Sequence, residues 1–322
     1  MTHVIRHLPV LVLEPHARCN CRCLMCDIWK VTDTRELAPA ELERHMADIV
    51  SLGVRWVVFT GGEPLMHSDL FRLCRMLKER GLRTTILSSG LLLERHAEAI
   101  VAHVDDVIVS LDGPLAIHNQ IRGVPRAFEM LAAGVDAIHR FAPGFQVTAR
   151  CTVQARNAAH LCATVRAAKE IGLSSISFLA ADVTSAAFNR AEPWTIVRQA
   201  QVMPEPAVLD AEIERLIAAD DPFVVQSAVK LRRIAAHFHQ RHTAPRCNAP
   251  WVSAVVETNG DVRPCFFQPA IGNIADGTLA TILNSPRAIA FRESLNIAEN
   301  PICRRCVCSL YLPVDAAVGS GS

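Results

Sequence analysis

Six short apolar runs alternate with amphipathic stretches over residues 8–180, and that rhythm leaves few folds open. The runs Val10–Leu13, Trp56–Phe59, Thr84–Leu87, Asp106–Ser110, Gln146–Thr152 and Ser175–Leu179 have strand length. Between them, Glu41–Leu52 sets Leu42, Met46, Ile49 and Val50 on one helical face, and Asp69–Arg80, stopped by Gly81, does the same with Leu70, Leu73, Cys74 and Leu77. Asn157–Ile171, closed by Gly172, is a further helix. Strands alternating with helices imply parallel βαβ units with right-handed crossovers, which a Rossmann-like sheet and a barrel satisfy equally. Residues 181–246 break the rhythm: helical stretches at Val208–Ala219 and Val224–Gln240 flank Asp220-Asp221-Pro222, as an insertion would. Farther on, Trp251–Glu257 and Val262–Cys265 flank Thr258-Asn259-Gly260-Asp261, a strong hairpin signal. Residues 313–322, ending Gly-Ser-Gly-Ser, read as an unstructured or appended tail.

The twelve cysteines are unevenly spread. Met1–Pro9 has no apolar core of the kind an export signal needs, and no run approaches transmembrane length. The expectation is therefore a cytoplasmic protein with no membrane partner, whose clustered thiols are reduced and serve as metal ligands. A formal net charge of +1 gives no electrostatic footprint for nucleic acid. Cys19, Cys23 and Cys26 form Cys-x3-Cys-x2-Cys directly after the first strand. Three thiolates on a tight loop can hold three irons of a 4Fe–4S cube and leave the fourth open, whereas structural zinc wants four closed ligands. Cys247 and Cys265 bracket the hairpin, and Cys303-x2-Cys306 completes four thiols; taken alone, that set suits a zinc ribbon as well as a cluster. Cys74, on an apolar helix face, reads as core. His237, His239 and His242 do not share a helical face and read as a solvated helix.

The N-terminal motif resembles the signature of the radical S-adenosylmethionine superfamily, and further matches follow at strand ends. Gly61-Gly62-Glu63-Pro64 looks like the family's GGEP loop, Ser88-Ser89-Gly90 stands where many members have Thr-Asn-Gly, and Ser110-Leu111-Asp112-Gly113 is similar to its Ser-x-Asp. The resemblance, over residues 8–180, implies an α/β fold, a partial (β/α)6 TIM-type barrel. By it, Gly61, Gly62, Glu63 and Pro64 hold the methionine amino group, Ser88, Ser110 and Asp112 contact the cofactor, and Arg150 is a candidate for the methionine carboxylate. Cys21 and Met25 depart from the signature; Cys21 reads as an inert small residue, and Met25 as cover for the adenine. The insertion at 181–246 is expected near the barrel mouth. Residues 247–312 resemble the SPASM/twitch extension, with Ile271-Gly272-Asn273-Ile274 strengthening the match. The cysteines run out after Cys308, which implies the shorter twitch form with one auxiliary cluster on Cys247, Cys265, Cys303 and Cys306, and two 4Fe–4S clusters in all.

The resemblance implies S-adenosylmethionine cleavage and hydrogen-atom abstraction from a small polar substrate, a sugar or aminocyclitol, ending in oxidation or epimerisation at carbon. Cys308 is the candidate hydrogen donor if the outcome is epimerisation. A ribosomal-peptide maturase is the alternative, disfavoured here because the first strand begins within about ten residues, leaving no leader-recognition domain before it. A non-catalytic iron–sulfur or zinc protein is a third reading, though it leaves the GGEP-like loop and the Ser-x-Asp unexplained. A flavodoxin- or ferredoxin-like donor is the expected redox partner, with Arg304 and Arg305 as a candidate docking face.

Overall fold

The computed structural model describes residues 3–185, 190, 192–241 and 245–313. The first part alternates strictly: β1 (Val10–Leu13), α1 (Pro39–Ser51), β2 (Trp56–Phe59), α2 (Leu70–Lys78), β3 (Arg83–Ser88), α3 (Leu93–His103) and β4 (Asp106–Ser110). It continues with α4 (Leu115–Arg122), α5 (Ala127–Phe141), β5 (Gln146–Val153), α6 (Leu161–Glu170) and β6 (Ile176–Ala180). Three helices follow, α7 (Ile196–Ala200), α8 (Pro206–Ala219) and α9 (Ala228–Phe238). The C-terminal part holds α10 (Ala249–Val252), β7 (Ser253–Val256), β8 (Asp261–Arg263), β9 (Gly272–Asn273), α11 (Leu279–Leu283), α12 (Pro286–Ser294) and α13 (Pro301–Arg305). This is the expected α/β class, a partial (β/α)6 barrel with a small α+β extension. The tail from 314 onward and His242 lie outside the described residues.

The chain divides into two compact units, one from residues 1–18, 32–85 and 243–322, the other from 19–31 and 86–242. In the first, β1 runs parallel to β2 on one side and to β7 on the other, with Leu11 opposite both Val57 and Ala254. The extension is thus joined to the barrel's first strand by hydrogen bonds rather than hung from a linker. All four residues of β1 are buried, and α2 buries Leu70, Leu73, Cys74 and Leu77, each leucine worth about 2 kcal/mol of transfer free energy. The hairpin β7–β8 forms at the Asn-Gly signal: Gly260, at φ +89°, donates its N–H to the Glu257 carbonyl at 2.8 Å. Trp251 and Val252, expected in the strand, belong instead to α10, where Pro250 favours a helical first turn.

In the second unit β4, β5 and β6 are parallel, with Ser110 beside Arg150. Helix α6 starts at Leu161, four residues later than the sequence suggests, because Asn157 is used as a tie. Its side chain accepts from the Gln154 N–H at 2.8 Å and donates to the carbonyls of Asp112 and Thr152 at 2.9 and 3.0 Å. Helix α9 likewise starts late, since Phe223 and Val225 pair with Ile176 as an extended edge and Ser227 then caps the helix. The insertion has two fates: α8 and α9 pack together beside α6 and β6, whereas Arg190, Trp194 and Arg198 reach the cysteine loop.

Candidate functional site

The loop bearing Cys19, Cys23 and Cys26 is docked on the last turn of α4. The N–H groups of Arg22 and Leu24 donate to the carbonyls of Arg122 and Ile121 at 2.9 and 3.2 Å, satisfying acceptors that a helix end leaves open. The Ser89 hydroxyl donates to Asn20 Oδ1 at 3.0 Å, so Ser89 reaches the loop. Ser88, expected at the cofactor, is buried and accepts from the Gly90 N–H at 3.0 Å, closing its own turn. Cys21 and Cys23 are buried with Leu91 and Ala127, and Cys19, Met25 and Cys26 pack against them. A hydrogen bond from the Cys21 thiol, aided by the nearby Arg122, pulls Cys23 down to about 7, while burial pushes Cys26 up to about 12. Cys23 is therefore the more readily ionised of these two, and ionised thiol is what iron binds.

Sequence reasoning passes over Arg122, because a cation ending a helix is ordinary. Here it is buried, meeting Asp112 Oδ2 at 2.6 Å and donating to Cys23 Sγ at 3.4 Å. Burial opposes its charge, but the Asp112 carboxylate and Cys23 hold it protonated. Asp112, expected to face the cofactor, is fully buried and committed to Arg122 and to the Thr152 N–H at 2.8 Å. Ser110 and Arg150, side by side on β4 and β5, are half-buried, and Arg150 Nε is a buried donor without a hydrogen-bond partner. An anionic group is what that orphaned donor fits.

The segment after β6 clamps the loop's far end. Asp27, next to Cys26, accepts from Trp194 Nε1 at 2.5 Å and from Arg198 Nη2 and Lys30 Nζ at 2.7 Å. Burial raises its pKa, yet these donors hold it down to about 2. Arg190 reaches the Met25 carbonyl at 3.5 Å, and Gln154 Nε2 donates to the Met25 thioether at 3.5 Å.

In the first unit, the GGEP-like loop grips the chain that leads toward the cysteines. The Gly62 and Glu63 N–H groups donate to the carbonyls of His16 and Arg18 at 3.2 and 2.8 Å, and a Cβ on Gly62 would fall 1.9 Å from the Arg18 oxygen. Glu63 is fully buried; its carboxylate accepts from the Leu65 N–H at 3.1 Å, and its carbonyl meets His16 Nε2 at 2.7 Å. Pro64 begins a single helical turn beyond it. The loop's two N–H donors are therefore used to hold the chain just before Cys19. A second residue missed from sequence is Glu14, at the C-terminal end of β1. On the adjacent β7 side Glu257 is paired with Arg263 at 2.8 Å, whereas the Glu14 carboxylate makes no hydrogen bond among the described residues. Burial, with the like charge of Glu257, raises Glu14 to about 7 despite Arg263.

Cys247, Cys265, Cys303, Cys306 and Cys308 line one cavity. Among the described residues no three His, Cys, Asp or Glu side chains gather closely enough for a single metal ion. Thiols spread around a cavity suit a cluster of several irons better than a zinc ion, whose four ligands close on one point. Cys308, expected as a hydrogen donor, stands in this wall as its fifth thiol. Tyr311 lies under the Arg246 guanidinium, 3.8 Å from its ring centre, and His239 pairs with Asp210 at 2.8 Å on the surface. No helix among the described residues is long and apolar enough to cross a membrane.

Residues 13–178, just over half of the chain, match the model of the radical SAM superfamily, and residues 247–307 match SPASM, an iron–sulfur cluster-binding domain. An AdoMet-dependent heme synthase of Methanosarcina barkeri is 32% identical over 168 residues, 51% of this chain but only 48% of its own length. The chain thus spans about half of that relative. A PqqA peptide cyclase of Methylocella silvestris is 27% identical over 321 residues, 92% of this chain and 81% of the relative. The crystal structure of Streptococcus suis SuiB bound to S-adenosylmethionine has the same fold, with a TM-score of 0.67 at 14% identity over 96% of this chain and 74% of SuiB. Native anSMEcpe with bound AdoMet aligns at a TM-score of 0.63 and 18% identity, over 88% of this chain and 82% of that one. The chain belongs to the radical SAM superfamily and carries a C-terminal SPASM-type iron–sulfur domain.

Proposed function

We propose that this protein is a radical SAM peptide maturase of the SPASM/twitch type, holding one 4Fe–4S cluster on Cys19, Cys23 and Cys26 and an auxiliary one in the C-terminal thiol cavity. The observation that carries the substrate class is the breadth of the likeness to a PqqA peptide cyclase, 92% of this chain, where the heme synthase match stops at 51%. SuiB, which shares the fold, has also been solved bound to a precursor peptide, SuiA. These likenesses move the reading from a sugar or aminocyclitol to a peptide. When bound, the clusters supply one-electron chemistry: cleavage of S-adenosylmethionine to a 5′-deoxyadenosyl radical at the first, electron uptake at the second.

The chain's own residues do the positioning. Arg122 and the end of α4 fix the cysteine loop, Asp27 with Arg190, Trp194 and Arg198 holds its far side, and the Ser110–Arg150 pair offers donors to a carboxylate. An acidic flavodoxin- or ferredoxin-like protein is the proposed electron donor, with exposed Arg304 as one contact. The test is 5′-deoxyadenosine formation by reconstituted protein offered, separately, precursor peptides and aminocyclitols. Peptide-dependent turnover, with a peptide lighter by two hydrogens, supports the reading. Turnover on the aminocyclitols and on no peptide overturns it. Deuterium incorporated from solvent at a single carbon, without mass loss, marks epimerisation instead.

A further inference from the structure

We propose that the auxiliary site carries five thiols for four ligand positions, and that Cys306 and Cys308 exchange at one corner of its cluster. The inference rests on the iron–sulfur reading of this cavity given above. All five thiols line the cavity, yet they are not held alike. Cys303 is fixed twice: its N–H is capped by Asn300 at 3.0 Å, and its sulfur accepts from Gln268 Nε2 at 3.3 Å. Cys306 ends α13 with φ −60° and ψ 128°, an extended conformation. Cys306 and Cys308, two residues apart across Val307, both face the same cavity. They are also close: the Cys306 thiol donates to the Cys308 carbonyl at 3.1 Å.

The segment beyond Cys308 is fastened. Asn248, next to Cys247, donates its N–H to the Leu310 carbonyl at 2.9 Å, and its amide exchanges bonds with Leu312 at 2.7 and 3.0 Å. Arg246 covers Tyr311. Cys308 is thus held between Cys306 and a clasp that closes beside Cys247, and is built into the site. Exchange is balanced: one iron–sulfur bond to Cys306 breaks, one to Cys308 forms, and a proton passes from the Cys308 thiol to the released Cys306 sulfur. No iron changes oxidation state. The displaced thiol remains beside the cluster.

The experiment uses the full chain with Cys19, Cys23 and Cys26 all changed to Ala, so that only auxiliary iron is counted. After anaerobic reconstitution, iron and sulfide content and the EPR spectrum of the reduced protein are measured for this parent and for added Cys→Ala changes. Cys306→Ala and Cys308→Ala should each keep about four irons, whereas Cys303→Ala and the Cys306/Cys308 double change should lose the cluster. Cys306→Ala losing iron as fully as Cys303→Ala, while Cys308→Ala matches the parent, overturns the exchange. Should a substituted chain fold poorly by circular dichroism, alkylation of the intact parent with iodoacetamide decides. Label shared between Cys306 and Cys308 is expected; label on Cys308 alone overturns it. A parent that takes up no iron overturns the cluster reading itself.

Discussion

The Arg122 guanidinium donates to the Cys23 sulfur across 3.4 Å while its other edge meets Asp112 at 2.6 Å. A carboxylate just beyond β4 is thereby coupled to Cys23 of the cysteine loop through one buried cation. Arg122→Met leaves Asp112 buried and unpaired, at a cost of about 3–5 kcal/mol. Asp112→Asn with Arg122→Met should recover much of that loss, which urea denaturation of the apo proteins will read. Hydrogen bonds to cluster sulfurs are among the features that set the potential of an iron–sulfur centre. Arg122→Lys keeps the charge but lacks the fork, so it should shift the potential of the N-terminal cluster in an EPR-monitored titration. An unchanged potential contradicts the assignment.

Glu14 makes stability depend on pH near neutrality. Its folded pKa of about 7 exceeds the ordinary 4.5, so between those values the folded state holds a proton that the unfolded chain has released. Stability from this group is full below about 4.5 and falls as pH rises through about 7, by about 3 kcal/mol in all. Glu14→Gln mimics the protonated form and should raise the melting temperature at pH about 8 with little change at acid pH. The charged neighbours are Glu257, which raises the pKa, and Arg263, which lowers it. Glu257→Gln should therefore flatten the profile, and a profile left unaltered by Glu14→Gln rejects the reading.

Gly62→Ala should weaken the N-terminal cluster without touching a cysteine. The new methyl would sit 1.9 Å from the Arg18 carbonyl oxygen, one residue before Cys19, so that backbone must give way. Overpacking of this kind costs about 1–3 kcal/mol. Iron content should fall toward the auxiliary cluster's share alone. Gly144→Ala, where nothing lies within 4 Å, is the control and should be neutral.

Much of this was legible in the residues. Strand positions follow from apolar runs whose period and length are local properties, and β1, β2 and β4 match their expected bounds. The cysteine spacings likewise fix which thiols lie on one loop. What escaped was decided by tertiary partners. Asn157 and Val224 sit in stretches with helical pattern, but a side-chain tie and an edge pairing claim them. Arg122 carries no distinguishing pattern, because its importance comes from Asp112 and Cys23, ten and ninety-nine positions away by numbering. Cys308 stands apart from the four-thiol pattern in the sequence, and its place in the same cavity wall as Cys247, Cys265, Cys303 and Cys306 depends on the fold.

We propose that Cys19, Cys23 and Cys26 hold the cluster that cleaves S-adenosylmethionine. The direct measurement is 5′-deoxyadenosine released under anaerobic reduction by dithionite, in the intact protein and in the variant with all three residues changed to Ala. The intact protein should form 5′-deoxyadenosine, and the variant should form none while retaining about four auxiliary irons. Equal 5′-deoxyadenosine from both proteins contradicts that role for the three cysteines.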